Sequence, residues 1–574
     1  MTTTLALALT LACAPKVQAP VAIDRAVKPA PLAPRSFDLP PTHEGTLSNG
    51  VTVTVVENHE VPLVHLKVVF DVGAWTDPED RPGLTRMAMD MMTEGAGELD
   101  AQQISTQSRM LAAQLGSYAS LDGATVSLRS LSRNLEPSLD LFATVLLQPT
   151  FPEADWELMR KKRIQDLQMT RNDPRRIGGR VWSHTMYGGA YAGHLSTEAS
   201  YEALTTDEMR TWVQTHLVPS RARILVGGDT TLDAILPLLE ARLGSWADGG
   251  AEIGQIETAS LREGLHTPEA TTIYLVDKPG AAQSYIIAGG FVGERTDEDH
   301  DSFSMANLVV GGQFTARINL NLREDKGYTY GARSSTSYSH LPGLWRVSSS
   351  VKTDTTGASI HEILGEIRGA LGDEPITPEE LTAGRTGRLG GWPMRYENPG
   401  YLLDQVRDVW LYDLPEDWIS GYPDRVRALT LEQTQAAWDQ RISTDALSIL
   451  VVGDAQVIVP STRPVEEEVT ADELAAADED ASTTEEAPAA TEGTEEEETD
   501  DTGGVVGGIV TDADGTPVTS PAAEETVEAE PLPGLLDLEL PIVWMDVDGQ
   551  TIEAPAWFVE LTAEPAEDEA SATP

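Results

Sequence analysis

The chain has 574 residues, 40% of them hydrophobic, which is enough for several core-bearing units, and a formal net charge of -52. Of its 92 acidic residues, 33 lie between Glu466 and Pro574, a stretch with no Lys or Arg, so the first 465 residues carry 59 acids against 40 bases, a net of -19. A body this acidic speaks against nucleic acid, whose affinity comes from Lys and Arg neutralising phosphates, and the single cysteine, Cys13, leaves no intrachain disulfide.

The first element is "MTTTLALALTLACAPKVQAP", an apolar run from Leu5 to Ala12 that ends at Cys13. It resembles a bacterial lipoprotein signal with the Cys13 thiol as the acylated group, although the positive n-region is missing. The run is too short to cross a bilayer, which takes ~20 residues, and no later segment qualifies. Residues 1–13 are therefore expected to act as a signal. The product would be exported to the periplasmic face of the envelope and held at the outer membrane by lipid alone. Residues 14–44, rich in Pro and Ala, read as a tether.

Between 45 and 250 the texture is globular. "GVTVTVVENHEVPLVHLKVVFDVGA" (50–74) predicts two alternating strands, a helical pattern follows at 83–95, "DWELMRKKRIQDLQMTRNDP" (155–174) predicts a long helix, and "RILVGGD" (223–229) a closing strand. The series then repeats over 251–460, from "TTIYLVDKPGAAQSYIIAGGFVG" (271–293) to "SILVVGD" (448–454). Asp229 and Asp454 lie 225 positions apart and the opening strands about 221. Such self-similarity predicts a duplicated α+β domain, with an antiparallel-rich sheet packed with helices in each copy. Residues 461–535 read as a disordered acidic C-terminal tail. Short returns of order are expected at the Asp514-Gly515 turn and, within 536–574, as a hairpin in "LPIVWMDVDGQTIEAPAWFVEL".

Common catalytic signatures are missing. There is no G-x-S-x-G and no phosphate loop, and none of the ten histidines forms H-E-x-x-H or H-x-x-E-H. In "RPGLTRMAMDMMTEGAG" (81–97) Leu84, Met87, Ala88, Met91 and Met92 form an apolar helical stripe with Met89 beside it, and Arg86 and Asp90 stand four residues apart. By itself this is an ordinary i, i+4 pair.

The block "IYLVDKPGAAQSYIIAGGFVGERTDEDHDSFSMANLVVGGQFTARINLNLREDKGYTYGARSS", above all "LREDKGYTYGA", resembles the second domain of the pitrilysin/insulinase/mitochondrial-processing-peptidase family, the inverzincins, in their bacterial two-domain form. The resemblance spans roughly 45–455. It implies two peptidase-like domains, the first carrying H-x-x-E-H, whose two His hold zinc while the Glu serves as general base. In that frame Arg86 stands for the first His, Met89 for the base and Asp90 for the second His. Asp166, 76 residues after Asp90, stands where the third ligand, a Glu, would be. The expectation is a vestigial site in which the Arg86 guanidinium replaces the cation and bridges Asp90 and Asp166. Two carboxylates could instead take a hard cation, but Met89 removes the base and Arg86 repels metal. The resemblance further implies that Arg323 and Tyr330 of "LREDKGYTY" contact substrate and stabilise an oxyanion in a facing zinc site. The competing expectation pairs Arg323 with Glu324 or Asp325 and packs Tyr330 in the sheet.

The resulting expectation is a non-catalytic, substrate-binding subunit of a heteromeric zinc metallopeptidase. It would act on peptides or unfolded proteins with a homologous partner that carries the intact motif, and it would hold no cofactor of its own, zinc being the partner's. The rival expectation is an inactive peptidase-fold scaffold or peptide-binding envelope lipoprotein.

Overall fold

The two runs after Gly50 form strands β2 (Thr52–Glu57) and β3 (Leu63–Phe70). In β3, Val64, Leu66 and Val68 are buried, while Leu63, His65 and Lys67 lie on the opposite, half-buried face, the two-residue period of a pleated strand. They join β1 (Thr42–Thr46), β4 (Gln114–Ala119), β5 (Ala124–Leu131) and β6 (Ala222–Gly228) in a six-stranded sheet of order β1-β2-β6-β3-β5-β4. The first half also supplies helices α1 (Leu84–Met91), α2 (Ala101–Met110), α3 (Leu135–Leu147), α4 (Glu153–Thr170) and α5 (Pro174–Tyr187). The computed structural model describes residues 39–249, 262, 264–460 and 532–562. Cys13 and the leader, most of the acidic stretch and the Asp514-Gly515 turn lie outside the described residues.

The second half repeats the plan with β7 (Thr272–Asp277), β8 (Gln283–Phe291), β9 (Thr329–Ser337), β10 (Leu344–Lys352) and β11 (Ser448–Gly453). Its helices include α6 (His300–Asn307), α7 (Thr356–Leu371) and α8 (Pro399–Leu411). Five strands of the second sheet, in the order β9-β10-β8-β11-β7, mirror β4-β5-β3-β6-β2, down to a parallel pair at the same place in each: β6 with β2, and β11 with β7. The duplication expected from the repeated strands is thus a duplicated sheet topology.

The halves exchange helices. From the first half, α5 buries Ile177, Val181, Trp182 and Met186 against Val276, Ile287, Leu450 and Val452 of the second sheet. From the second half, α8 lies on the first sheet, where Leu403 fits over Gly227 and Asp404 pairs with Lys67 at 2.6 Å. Asp122, 2% exposed, ties the two together. It accepts hydrogen bonds from the Tyr191 hydroxyl (3.0 Å), the Tyr412 hydroxyl (3.1 Å) and the backbone N–H of His340 (3.1 Å).

The sixth strand of the second sheet comes from the far end of the chain. Strand β12 (Ile542–Met545) pairs parallel to β7, whereas its counterpart β1 pairs antiparallel to β2. Leu535, the last residue of the stretch read from composition as tail, is fully buried, and Trp544 meets Trp557 and Phe558 of α9 (Ala556–Thr562) edge to face. The Asp546–Gly549 turn then reaches the first half, where Asp548 pairs with Arg171 (2.9 Å) and Arg180 (3.6 Å).

At the start of α6 the His300 ring packs, tilted, against Tyr338 and Trp418, with ring centres 4.9 Å and 5.3 Å apart. Burial, with Arg295, Arg441 and Arg425 acting in the same sense against Asp301, lowers its pKa to about 4. An unfolded histidine titrates near 6.5, so below that pH the unfolded chain binds the additional proton and the folded state does not. Stability is therefore full above pH 6.5 and declines toward pH 4 by up to about 1.4 kcal/mol per pH unit from this group. His300→Gln is expected to flatten the pH dependence of the urea-unfolding free energy in that window; an unchanged slope would contradict a buried neutral imidazole.

Candidate functional site

Helix α1 begins at Gly83, whose φ of 94° falls in the left-handed region that favours glycine. The Asp77 carboxylate accepts hydrogen bonds from the backbone N–H of Gly83 (2.7 Å) and Thr85 (2.8 Å), covering donors that the helix end leaves open. Met87, Ala88, Met89, Met91 and Met92 are all fully buried. Met89, which the resemblance sets at the position of the general base, is therefore a core methionine.

Arg86 does not bridge the two carboxylates as expected. Its side chain is exposed and makes no ion pair among the described residues. The bridging guanidinium belongs to Arg163 on α4, which reaches Asp90 at 2.7 Å and Asp166 at 3.7 Å. The reason is geometric: Asp90 ends α1 facing α4, where Arg163 lies one turn before Asp166 and can touch both, whereas Arg86 projects outward from the same helix. Glu94 stands nearby, its pKa raised by burial and by the negative charges of Asp155 and Asp90. A dication at this place would have to displace Arg163, and among the described residues no three His, Cys, Asp or Glu side chains are grouped to hold a metal ion.

This corrected pairing has a simple consequence. The Arg163 and Asp90 side chains are only 29% and 21% exposed, so Arg163→Ala leaves a largely covered carboxylate unpaired beside Glu94. The expected loss of stability is about 1–2 kcal/mol, below the 3–5 kcal/mol of a fully buried pair. Arg86→Ala is expected to stay within about 0.5 kcal/mol. Urea unfolding of both variants separates the two arginines, and the reverse order would restore Arg86 as the bridge.

In the second half Arg323 sits on a π-helical turn, Leu320–Asp325, just before the edge strand β9. Such turns are uncommon and concentrate at functional places. Its guanidinium lies 4.5 Å from the centre of the Phe314 ring and pairs with Glu324 at 3.3 Å. Tyr330 does not pack in the sheet: it is 91% exposed. A bulge between Thr329 and Ala332 turns it outward, and Ser349 holds that bulge by donating to the carbonyl of Gly331 (3.0 Å). Buried Asn319 links the two features. Its amide donates to the Phe314 carbonyl (2.6 Å), and its side-chain oxygen accepts from the Ala332 N–H (2.9 Å). Arg317 and Lys326, read from sequence as structural, pair with Glu380 (2.6 Å) and Glu362 (2.9 Å).

Residue patterns alone missed Arg163, Phe314 and Asn319. A signal existed for the first, since Arg163 precedes Asp166 by three residues, a helical neighbour spacing, but it was hidden among Arg160, Lys161 and Lys162. Nothing local marks Asn319, whose partners lie in a loop and a strand.

Comparison with known proteins agrees with this architecture. The description "Insulinase (Peptidase family M16)" matches residues 52–196, and "Peptidase M16 inactive domain" matches residues 203–387. An uncharacterized zinc protease, YmxG, of Bacillus subtilis is 24% identical over 62% of this chain and 84% of its own length. A Helicobacter pylori protein named a non-peptidase homolog is 19% identical over 68% of this chain and 89% of its own. The crystal structure of a peptidase M16 inactive domain from Pseudomonas fluorescens superposes with a TM-score of 0.66 at 22% identity, covering 72% of this chain and 98% of that one. Two adjoining matches to one family take in more than half of the chain, whose paired sheets have the matching fold: the chain belongs to peptidase family M16.

Proposed function

We propose that this chain is a non-catalytic, substrate-binding subunit of a two-component zinc peptidase, supplying Arg323 and Tyr330 to a metal site carried by a homologous partner. One observation carries the reading. The half that would hold the metal has a guanidinium between its two carboxylates and a buried methionine for its base, while the other half carries a half-buried Arg323 beside Glu324 and a fully exposed Tyr330. A fixed guanidinium and a phenol aimed at carbonyl oxygens stabilise charge that develops during amide hydrolysis. The Phe314 ring under Arg323 positions that guanidinium, and the Asn319 bracket fixes the backbone on which Tyr330 stands, which lowers the cost of ordering them on binding. The zinc would be the partner's, and the substrates peptides.

The leader supports export and a lipid on Cys13 at the periplasmic face of the outer membrane. Among the described residues no helix is long and apolar enough to cross a membrane. The test is capture of the full chain from detergent-solubilised envelopes of its own cells, with mass spectrometry of what accompanies it. A stoichiometric homologue bearing H-x-x-E-H is expected. Recovery of the chain without any such homologue would overturn the partnership.

A further inference from the structure

The turn that carries Arg323 depends on its neighbours. Residues Leu320–Asp325 are wound as a π-helix, closed by the Lys326 N–H donating to the Asn321 carbonyl at 3.0 Å. Such turns are rare, and unfavourable backbone persists only where its surroundings hold it. One hold lies beneath the turn. Leu322 is fully buried in the core of the second sheet, and its carbonyl accepts from the Tyr328 N–H at 2.9 Å.

The other hold comes from α7. Ile360, Ile363, Leu364 and Ile367 are buried and fix that helix on the core, and Glu362 and Glu366 stand one turn apart on it. The Asn321 side-chain amide donates to Glu362 Oε2 (3.0 Å) and to Glu366 Oε1 (2.8 Å). The other oxygen of Glu362 takes the Lys326 ammonium at 2.9 Å. One carboxylate thus grips a residue near the start of the turn and the residue just after its end, and Arg323 lies between them. Burial opposes the charge on Glu362, but the hydrogen bonds from Lys326 and Asn321 prevail and hold its pKa below the usual carboxylate range. Both grips are therefore charge-assisted. To stability such a half-exposed pair adds little. What it determines is where the turn, and with it Arg323, stands.

We infer that Glu362 is a positioning residue for Arg323: by holding Asn321 and Lys326 from α7, it fixes the turn from which the guanidinium meets a peptide carbonyl. This rests on the proposed role of Arg323 and adds the group that sets its geometry. The placement matters because a shift of about 1 Å at a reacting centre can cost on the order of 10²-fold in rate.

The experiment pairs hydrogen exchange on the full chain alone with peptide hydrolysis by this chain and the H-x-x-E-H homologue. In Glu362→Gln the new amide must turn its N–H groups toward either Asn321 or Lys326, so one grip is lost. The Lys326 and Tyr328 N–H groups are expected to exchange about tenfold faster, the effect of losing one charge-assisted hydrogen bond, while those of β8 keep their wild-type rates. In the pair, kcat is expected to fall about 10- to 100-fold with KM little changed, and Lys326→Arg to retain more activity than Lys326→Met. In an Arg323→Ala background Glu362→Gln should cost nothing further, because the two act through one group. Wild-type exchange of both amides in Glu362→Gln would overturn the inference without recourse to a partner. A full additional loss in the Arg323→Ala background would overturn it too, as would full activity of Glu362→Gln beside an impaired Arg323→Ala, which leaves the role of Arg323 standing. A wild-type rate for Arg323→Ala would instead overturn that role itself.

Discussion

Trp544→Ala is expected to lower the unfolding free energy by about 3–5 kcal/mol, the usual range for truncating a fully buried tryptophan. Trp544 is 3% exposed, belongs to the core of the second sheet and meets Trp557 and Phe558 at 5.8 and 5.2 Å. It is carried by β12, whose only strand partner among the described residues of the second sheet is β7, so the alanine variant also loosens the strand that covers this edge. Among the described residues its indole N–H has no hydrogen-bond partner, so Trp544→Phe gives up volume but leaves no acceptor stranded and should cost about 1–2 kcal/mol. Urea unfolding of the two variants is the check. A loss below about 1 kcal/mol for Trp544→Ala would mean that the C-terminal segment is not part of the folded unit.

Asp122→Ala is expected to cost about 3 kcal/mol, through groups left behind rather than through volume. Removing the carboxylate strands two tyrosine hydroxyls, from Tyr191 and Tyr412, and the His340 N–H, each with a desolvation penalty of about 1–3 kcal/mol where water cannot replace the lost partner. Asp122→Asn retains one oxygen acceptor and an amide that a tyrosine oxygen can accept, so about 1 kcal/mol is expected. Because these partners come from both halves, the alanine variant should also exchange its backbone amides faster around His340 and Tyr412. Local exchange rates that stay at the wild-type level would show that the halves are held together elsewhere.

The duplicated sheets were legible because strand alternation and the closing "VGGD" and "VVGD" recur in local sequence. What joins the halves was not. The apolar stripe of α5 says that Ile177 and Val181 are buried but not that they are buried against the other half's sheet, since periodicity specifies a face and no partner. The aromatic "LPIVWM" run hinted at order beyond the acidic stretch, yet its pairing with β7, some 270 residues earlier, depends on contacts no local pattern encodes. That Asp90 and Asp166 face one cation was readable in the sequence, and the identity of that cation was not, because an i, i+4 pair and a pair across facing helices look equally sensible in one dimension. The exposure of Tyr330 followed from a bulge that side chains of Ser349 and Asn319 hold in place, again a tertiary cause.

The assisting role is tested most directly by peptide hydrolysis in a reconstituted pair, this chain with the H-x-x-E-H homologue, comparing wild type with Arg323→Ala and Tyr330→Phe. Tyr330 is 91% exposed and the Arg323 side chain, 37% exposed, pairs only with its exposed neighbour Glu324 among the described residues, so neither change should disturb folding or pairing, which size-exclusion chromatography monitors. The expected result is a fall in kcat/KM of about 10²- to 10³-fold for Arg323→Ala, the scale seen when one preorganised oxyanion donor is removed, with a smaller fall for Tyr330→Phe. A wild-type rate from an intact Arg323→Ala pair would contradict the assisting role.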